Sequence, residues 1–351
     1  MRIDIAGAGA AGLSLALRLV RAGIPDLRIT LIDRDFTPVS DRTWCFWDDE
    51  SLVLPGITRR QWTTLRIDGP MGPLQSQLRN HTYHMVDSGE FKRLALAELE
   101  RHDVVFRQSE VHPDALDADL VFQSVTPPVR TGPWLKQHFL GIELRADRPV
   151  FDADVATIMD FNVDQSHGFA FMYLLPLSDT HALLEYTLFT DTVLDKETYR
   201  QEIMRYAQRM APGASFESER EEFGVIPMVV GDWNPGVGRI QNIGAAAGLA
   251  KASTGYTFSR IQRDSEHIAE SLIRGRLHRP NPSTPRKQWM DSLILKILRE
   301  DPAHAVSIFE TLFRANGFDT MLRFLDEKSD LADDLRLMAS VPSWWAFIRR
   351  L

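Results

Sequence analysis

The sequence predicts an α/β protein in which a parallel sheet is followed by a β-rich region and a helical C-terminal region. Three observations predict this fold class. Residues 2–33 have the pattern of a strand, a helix and a second strand; several runs between residues 140 and 220 favour strands; and the chain after residue 285 has the spacing of amphipathic helices. A strand–helix–strand order implies parallel strands, because the crossover helix returns the chain to the starting end of the sheet.

The first elements are a strand at residues 2–6, a helix at 10–22 and a strand at 28–33. Apolar residues at helical spacing indicate the helix, and Gly23 followed by Pro25 ends it. A second helix at residues 91–101 and strands at 104–108 and 120–124 continue the same sheet, and prolines break the chain at positions 127, 128 and 133.

Beyond this break we predict a separate, substrate-facing sheet, with strand-forming runs at residues 156–163, 168–176 and 181–189. A short strand at 239–244, a glycine-rich turn and a helix to about residue 274 follow. We therefore predict a discontinuous cofactor domain of residues 1–130 and 222–280, a substrate-binding β-sheet domain of residues 131–221, and a helical C-terminal cap of residues 281–351.

The composition is that of a globular protein, with 351 residues of which 44% are hydrophobic and 25% charged. The net charge of −8 argues against a nucleic-acid partner, because such proteins are usually basic. Cys45 is the only cysteine, so no internal disulfide forms, and the histidines show no ligand spacing, so we expect no metal.

The N-terminal apolar run, residues 3–16, carries a glycine motif and lacks the layout of a cleavable signal. The chain also has no apolar run of the length that a membrane-spanning helix needs. With the single cysteine, these features lead us to expect a cytoplasmic protein, with peripheral attachment to a membrane left open.

The first glycine motif predicts a dinucleotide site. Residues 7–12 match G-x-G-x-x-G between a strand and a helix. Gly7 permits the tight turn, Gly9 lets the backbone approach a pyrophosphate, and Gly12 lets helix and strand pack closely. The helix N-terminus stabilises phosphate charge, and Asp33 would accept hydrogen bonds from ribose hydroxyls. The alternative, a glycine-rich turn without a ligand, is disfavoured by the strand, the helix and the acidic residue together.

A second glycine-rich stretch, residues 242–256, favours FAD over NAD. It resembles the segment with which hydroxylase-like flavoproteins return to the flavin, and this resemblance implies a Rossmann-like FAD-binding domain of that class. The candidate FAD contacts in it are Gly244, Gly248, Thr254 and Gly255. That class often has an acidic residue where this chain has Ala245, which leaves a ribityl contact in doubt but not the backbone contacts.

Residues 41–47, Asp-Arg-Thr-Trp-Cys-Phe-Trp, combine an arginine with three large aromatic side chains. We interpret them as a flavin-proximal loop in which Arg42 faces the pyrophosphate as a bidentate cation. Trp44, Phe46 and Trp47 would line an apolar tunnel. The alternative is a loop whose aromatic rings pack a core while Arg42 forms a salt bridge.

Several separated segments resemble the flavin-dependent lycopene cyclases, carotenoid enzymes of bacteria and plants. The resemblance extends from residue 1 to about residue 265, and the rest of the chain is similar only in being helical and rich in Phe, Leu and Arg. The segments that carry it are residues 41–47, 158–161, 171–177, 184–187, 224–228 and 244–258.

This resemblance implies an isomerase, of the intramolecular lyase type, that closes β-rings at the linear ends of lycopene and gives γ- and β-carotene. A proton adds to the terminal double bond, the neighbouring alkene attacks the tertiary cation, and loss of a proton places the ring double bond. It also implies FAD in its reduced form, supplied by NAD(P)H, with no net redox change.

Glu185 matches the family's glutamate in a Leu-Glu-x-Thr segment, which makes it the expected proton donor. Its neighbours in the predicted strand are mostly apolar, and burial raises the pKa of a carboxyl and keeps it protonated, as a general acid requires. The alternative is a buried glutamate with structural hydrogen bonds. Asp160 is a second carboxyl in an apolar strand, which either positions Glu185, shares its proton or deprotonates the cation, or else caps a turn.

The aromatic rings of Trp44, Phe46, Trp47, Phe171 and Tyr173 are the expected lining of the substrate site. Their π faces would stabilise the carbocation, by about 0.5–2 kcal/mol for each contact. They would also exclude water, which would otherwise trap the cation as an alcohol. Packing in the core is the alternative for each ring.

Because its implied substrate is a hydrocarbon dissolved in a bilayer, we expect peripheral contact with the inner membrane. The last residues, 341–351, combine Trp, Phe and Arg, which favour the interface and anionic headgroups. Residues 288–325 are a second amphipathic candidate, with a helical cap on the core as the alternative. Other carotenoid enzymes are possible partners.

Three other functions stay open from the sequence. They are a cyclase of this family that acts on another isoprenoid chain, a redox flavin monooxygenase, and a flavin-binding protein without catalysis. The sequence also leaves open whether one or both ends of the substrate are cyclised, whether the ring is β or ε, and which group accepts the final proton.

Overall fold

The computed structural model describes residues 1–47, 52–54, 56–125 and 134–341. Its strands are β1 (Arg2–Ala6), β2 (Arg28–Asp33), β3 (Thr43–Trp47), β4 (Thr58–Trp62), β5 (Thr64–Asp68), β6 (Leu74–Gln77), β7 (Tyr83–Asp87), β8 (Val104–Gln108), β9 (Leu120–Gln123), β10 (Leu135–Ala146), β11 (Val155–Asp160), β12 (Phe169–Pro176), β13 (His181–Thr190), β14 (Phe216–Met228), β15 (Gly236–Val237) and β16 (Ile240–Asn242). Its α-helices are α1 (Ala10–Arg21), α2 (Ser88–Leu99), α3 (Lys196–Met210), α4 (Phe258–Ile273), α5 (Pro285–Glu300), α6 (Pro302–Leu325) and α7 (Leu331–Ser340).

The first sheet has the strand order β15-β16-β9-β1-β2-β8 and is parallel except at β15. Ile3, Ile5 and Leu31 are completely buried in its core, where the apolar faces of α1, α2 and α4 also pack. The predicted strands at residues 2–6 and 28–33 are confirmed, and α1 ends one residue before the predicted helix.

A small antiparallel sheet, with the order β3-β7-β4, corrects one prediction. Residues 43–47 were expected in a loop, but they form β3, in which Trp44 lies opposite Val86 and Trp47 opposite Tyr83 of β7. Threonine and aromatic side chains favour strands when a partner strand is present. The partner is about 40 residues away in sequence, so no local pattern announces the pairing.

The second sheet has the order β14-β10-β13-β12-β11-β5-β6 and includes the three predicted β-rich runs as β11, β12 and β13. It draws on more of the chain than residues 131–221, because β5 and β6 precede that range and β14 extends beyond it. The division of the chain into three domains stays a prediction, but a substrate sheet confined to residues 131–221 would lack two of these strands.

Helices cover both faces of the second sheet. On one face, α3 packs through Tyr199 and Ile203 against β10 and β13. This helix was not predicted; its N-cap Asp195 accepts hydrogen bonds from the backbone N–H groups of Glu197 and Thr198. On the other face, α5 and α6 contact β12 and β13. Because side chains alternate along a strand, neighbouring residues face different helices.

The chain after residue 285 is helical as far as it is described. Leu331 and Leu335 of α7, and Trp289 of α5, are exposed apolar side chains. Within the ranges that the structure describes, no helix is long and apolar enough to span a bilayer. The predicted membrane-docking tail lies outside the described residues from position 342 onward.

Candidate active site

Two adjoining cavities lie where the two sheets meet. The first, of about 460 Å³, is lined by the start of α1, the end of β2 and the residues before β3. The second, of about 340 Å³, is lined by β3, by the second sheet and by residues 254–258. We call them the nucleotide cavity and the reaction cavity. Arg42 and Trp44 line both, so the two cavities meet at these side chains.

The glycine motif forms one end of the nucleotide cavity. Gly7 has a φ of 107°, which only glycine adopts readily, and a Cβ on Gly12 would lie 1.8 Å from the carbonyl oxygen of Gly7. Within the described residues, no atom apart from those of its chain neighbours lies within 4 Å of a Cβ placed on Gly9, the N-cap of α1. The first turn of this helix has no acidic residue. This end of the helix therefore offers free N–H groups and open space to a phosphate.

Asp33 and Arg42 both line the nucleotide cavity, and they suit different parts of a dinucleotide. Asp33 accepts hydrogen bonds from the backbone N–H groups of Ala8 (2.5 Å) and Asp35 (3.0 Å), and its oxygens keep further acceptor capacity for ribose hydroxyls. Arg42 is exposed and donates to the carbonyl oxygen of Asp41 (2.6 Å). Its position between the cavities suits the predicted contact with a pyrophosphate.

The second glycine-rich segment divides between packing and lining. Gly244 and Gly248 flank a short turn and line neither cavity, and a Cβ on Gly244 would lie 2.8 Å from the Cβ of Ala11 in α1. Thr254 and Gly255 line the reaction cavity, as predicted for a segment near the flavin. The predicted FAD contacts of Gly244 and Gly248 stay predictions.

Two buried polar atoms of the reaction cavity suit a flavin. Among the described residues, Gln137 Oε1 and Thr254 Oγ1 have no hydrogen-bond partner, and both side chains line the cavity. Buried polar groups are nearly always satisfied, so an unpaired pair at a cavity wall indicates a polar ligand edge. An isoalloxazine ring carries such an edge, and the residues present therefore fit FAD. Sequence reasoning missed Gln137, whose only signal is a polar side chain in an apolar strand.

Glu185 of β13 lies in the wall of the reaction cavity, beside Leu183 and Tyr173. Its Oε1 accepts a hydrogen bond from Thr187 Oγ1 (2.8 Å). Burial raises the pKa of Glu185 to about 8, with a further contribution from the negative charge of Glu222, while the Thr187 hydrogen bond lowers it. The carboxyl is therefore protonated at neutral pH, as a proton donor must be. Its catalytic role stays a prediction.

Asp160 lies on the opposite face of the same sheet. Its carboxylate accepts hydrogen bonds from Tyr206 Oη of α3 (2.7 Å) and from the backbone N–H and side-chain amide of Asn162 (both 2.9 Å). It does not line the reaction cavity. The structure does not bring Asp160 together with Glu185, and its expected catalytic role stays a prediction that no contact supports. The turn-capping alternative describes its hydrogen bonds.

The predicted lining aromatics divide into two groups. Trp44 and Tyr173 line the reaction cavity, and Trp44 stacks on Phe258 with 5.3 Å between ring centroids. Phe46, Trp47 and Phe171 are almost completely buried and line neither cavity. These three pack behind the wall, as Phe171 does against Phe169 and Phe161, so core packing describes their positions.

Three tyrosines form a hydroxyl cluster in the same cavity. Tyr256 Oη lies 3.3 Å from Tyr173 Oη and 3.5 Å from Tyr83 Oη. Burial raises the pKa of Tyr256 to about 12 and raises the pKa of the other two phenols as well, so all three stay neutral. Burial also raises the pKa of Cys45 to about 12. Tyr83 carries no signal in the sequence, because only its pairing with β3 brings it here.

Sequence reasoning also missed Glu222 of β14, a buried carboxyl near the half-buried Glu185. It lies in a strand with several charged residues, which hides the one that is buried. Burial raises the pKa of Glu222, and the nearby Arg220 and the Thr43 hydroxyl lower it.

Solved structures of other proteins share this fold. The chain matches a geranylgeranyl bacteriochlorophyll reductase-like protein from Thermoplasma acidophilum (TM-score 0.65, 11% identity, covering 100% of this chain and 98% of that one). It also matches the flavin-dependent brominase Bmp2 (0.65, 10%, 100% and 100%) and PqsL, a probable FAD-dependent monooxygenase from Pseudomonas aeruginosa (0.59, 15%, 89% and 100%). These identities show the fold alone, and they confirm the predicted α/β fold class.

Sequence comparison gives the family. A family model described as lycopene cyclase protein matches residues 3–348. Lycopene beta-cyclases from Pantoea ananas and from Paracoccus sp. (strain N81106 / MBIC 01143) are each 26% identical to this chain. Both alignments cover 96% of this chain, and they cover 94% and 93% of those proteins. The chain therefore belongs to the lycopene cyclase family, and the resemblance seen in the sequence is confirmed.

Proposed function

We propose that this protein is a lycopene beta-cyclase, which isomerises the linear ends of lycopene to β-rings and gives γ- and β-carotene. One observation carries the proposal within this family: the Glu185 carboxyl lies in the wall of a cavity that adjoins the nucleotide cavity, where burial raises its pKa to about 8. A carboxyl that keeps its proton in a mostly apolar cavity is what proton addition to an alkene requires.

In the proposed reaction, Glu185 donates its proton to the terminal double bond of lycopene. The neighbouring alkene attacks the resulting tertiary cation and closes a six-membered ring. Loss of one proton from the ring then places the double bond, so one proton enters and one leaves and the product is an isomer. The π faces of Trp44, Tyr173 and Tyr256 stabilise the cation, by about 0.5–2 kcal/mol for each contact.

The chain's residues are suited to hold FAD across both cavities. The N-terminus of α1 and Arg42 would bind its pyrophosphate, Asp33 its ribose, and Gln137 and Thr254 its ring. When bound in its reduced form, with NAD(P)H as the reductant, the flavin supplies an electron-rich ring that favours positive charge nearby. The neutral tyrosines and the protonated Glu185 add no competing charge to that part of the cavity.

We also propose peripheral contact with the inner membrane, because the substrate is dissolved there and other carotenoid enzymes work on the same molecules. The exposed Leu331 and Leu335, one helical turn apart on α7, and the exposed Trp289 of α5 support it. The tail that follows α7 carries Trp, Phe and Arg. Binding to vesicles of anionic lipid, measured by flotation, tests this contact, and a protein that stays unbound contradicts it.

Product analysis tests the proposed reaction. Purified protein, FAD, NADPH and lycopene in liposomes are incubated without oxygen, and the pigments are separated by chromatography. We expect cyclised carotene from the wild type, with no matching loss of NADPH, and none from E185Q. The matched control is E270Q, which changes an exposed glutamate of α4 that pairs only with Arg274 in the described structure.

Two results would contradict the proposal. Unchanged lycopene with confirmed reduced flavin would leave another isoprenoid chain as the substrate. Consumption of NADPH and oxygen in proportion to product, once oxygen is admitted, would indicate a monooxygenase instead.

A further inference from the structure

Glu185 and Glu222 lie in one row across three neighbouring strands. Gly141 of β10 is the register partner of Glu185 in β13 and also of Glu222 in β14. Directly opposed residues of antiparallel strands have their side chains on the same face of the sheet. The two carboxyls therefore project to the same face, on either side of a residue that has no side chain.

The space over Gly141 is filled by Glu222. A Cβ placed on Gly141 would lie 3.0 Å from Glu222 Cγ and 3.4 Å from its Oε1. The Glu222 side chain therefore leans across β10 toward β13. Strands two positions apart are separated by about 10 Å, a gap that two glutamate side chains span only when the residue between them leaves room. Glycine at position 141 leaves that room.

The two carboxyls have different partners. Glu222 Oε2 accepts a hydrogen bond from Thr43 Oγ1 (2.8 Å) and lies 3.3 Å from Arg220 Nη2. Glu185 accepts a hydrogen bond from the Thr187 hydroxyl and forms no ion pair within the described part of the chain. When two buried carboxyls interact, the one with the cation ionises first, and its charge opposes ionisation of the other.

We propose that Glu222 is a positioning residue for proton donation: ionised and held by Arg220 and Thr43, it keeps the proton on Glu185 across the gap at Gly141. This inference rests on the proposed role of Glu185 as the proton donor. Glu222 itself does not line the reaction cavity, so it acts through Glu185 and not on the substrate.

The pKa directions agree with this geometry. After burial, the charge of Glu222 is the second cause that raises the pKa of Glu185. Burial also raises the pKa of Glu222, but there Arg220, the Thr43 hydroxyl and Arg42 oppose the increase, and Glu185 has no such cation among the described residues. The other titratable or charged groups near the pair come from the residue before β3, from β3, β10, β12 and β14, and from the segment before α4; they are Arg42, Cys45, Glu143, Tyr173, Arg220 and Tyr256. Tyr83 of β7 lines the same cavity. Cys45 and the tyrosines are neutral near pH 8, because burial raises the pKa of each.

Substitution of Glu222 is expected to shift the pH dependence of turnover. Proton donation needs protonated Glu185, so turnover falls as the pH rises through the pKa of that group. E222Q removes the negative neighbour and lowers the pKa of Glu185. The falling limb of the turnover profile therefore moves to lower pH, by about one pH unit.

The experiment is an infrared titration of the FAD-loaded protein without substrate. The C=O stretch of protonated Glu185 is the band present in the wild type and absent in E185Q. We expect this band to disappear at a lower pH in E222Q than in the wild type. E221Q is the matched control, because Glu221 is the neighbouring residue on β14 but pairs with Arg200 on the α3 side (2.9 Å), and its change leaves the band in place.

E222Q is expected to fold, because Arg220 keeps Glu143 (2.7 Å) and Asp87 (3.2 Å) as partners. Should it lose FAD, E222D provides the same test, since it keeps the negative charge but draws it back from Glu185. We expect its band to disappear at a pH between those of the wild type and E222Q. A band that titrates at the wild-type pH in every folded Glu222 variant overturns the proposal.

The turnover profile separates this inference from the proposed function. A uniform loss of turnover at all pH values in E222Q, with an unmoved limb, would assign Glu222 a merely structural role and overturn the proposal. A wild type that cyclises no lycopene, while its carboxyl band still responds to E222Q, would overturn the proposed function and leave the carboxyl pair standing.

Discussion

The two cavities are constructed in different ways. Most residues that line the nucleotide cavity come from one stretch of the chain, from Ala8 to Trp44. The residues that line the reaction cavity come mainly from β3, β7, β10, β12, β13 and β14, which span most of the chain. A cavity formed by one local stretch depends on the conformation of a few glycines, whereas a cavity formed by distant strands depends on strand register.

This difference predicts that a substitution can impair one cavity without impairing the other. Among the variants, E185Q has the largest expected effect on turnover. Replacing the proton donor of the reaction cavity lowers turnover by about 10²–10⁴-fold, because general acid catalysis contributes that much. The FAD content of the purified protein stays at the wild-type level, because Glu185 is not among the residues proposed to hold FAD and glutamine has nearly the same shape as glutamate. Cyclised product and bound flavin are measured on one preparation, and a joint loss of both would contradict the separation.

Changes in the glycine motif are expected to do the reverse. In G12A the new Cβ would lie 1.8 Å from a backbone oxygen that cannot move freely, so we expect the free energy of unfolding to fall by about 1–3 kcal/mol or more. In G9A no atom of the described residues, apart from those of the chain neighbours, lies within 4 Å of the new Cβ. The change in the free energy of unfolding therefore stays within about 0.5 kcal/mol.

Both variants are expected to lose FAD, G12A through the fold and G9A through the space that a pyrophosphate needs. Urea unfolding of the FAD-free proteins separates these causes. If G9A bound FAD as tightly as the wild type, the pyrophosphate would not lie at this end of α1.

The nucleotide cavity can be predicted from the sequence more completely than the reaction cavity. The motif at Gly7–Gly12, the strand before it and Asp33 are local signals, since each depends on residues within one βαβ unit. Glu185 is predicted because its Leu-Glu-x-Thr segment resembles that of the family, and its apolar neighbours alone would leave a structural role open. Glu222 was not, because only the pairing of β10 with both β13 and β14 brings it to Glu185. Register of this kind joins Gly141 to residues about 40 and about 80 positions away and leaves no periodic mark in the strands.

The same dependence on distant pairing explains why the sequence does not separate lining from core aromatic residues. It also explains why helix α3 was not predicted. Trp44 and Trp47 look equivalent in the sequence, but alternation along β3 and its pairing with β7 give one a cavity position and the other a core position. In α3 the apolar residues Tyr199, Ile203 and Tyr206 have helical spacing, but the strand-forming runs before it favoured a continuous sheet.

The pH dependence of the wild type is the next expected effect. The pKa of Glu185 is raised from 4.5 to about 8, and the active form carries the proton. Turnover is therefore constant below that value and falls about tenfold for each pH unit above it. Initial rates of cyclisation with saturating FAD measure this profile. A limb near the ordinary pKa of a glutamate would mean that the proton comes from a group in a different environment.

The smallest expected effects come from single rings, and they sharpen the distinction between lining and core. Y256F keeps the ring beside the cation and removes one hydroxyl of the tyrosine cluster, so we expect a loss of turnover of about two- to tenfold. Y256L also removes the π face, which adds about 0.5–2 kcal/mol to the barrier. F171L is the control, because this ring lies behind the cavity wall among Phe161, Phe169 and Phe189. We expect F171L to lower the free energy of unfolding, measured by urea titration, while turnover of the folded fraction stays at the wild-type level. Equal turnover in Y256L and Y256F would show that the ring of Tyr256 does not stabilise the cation.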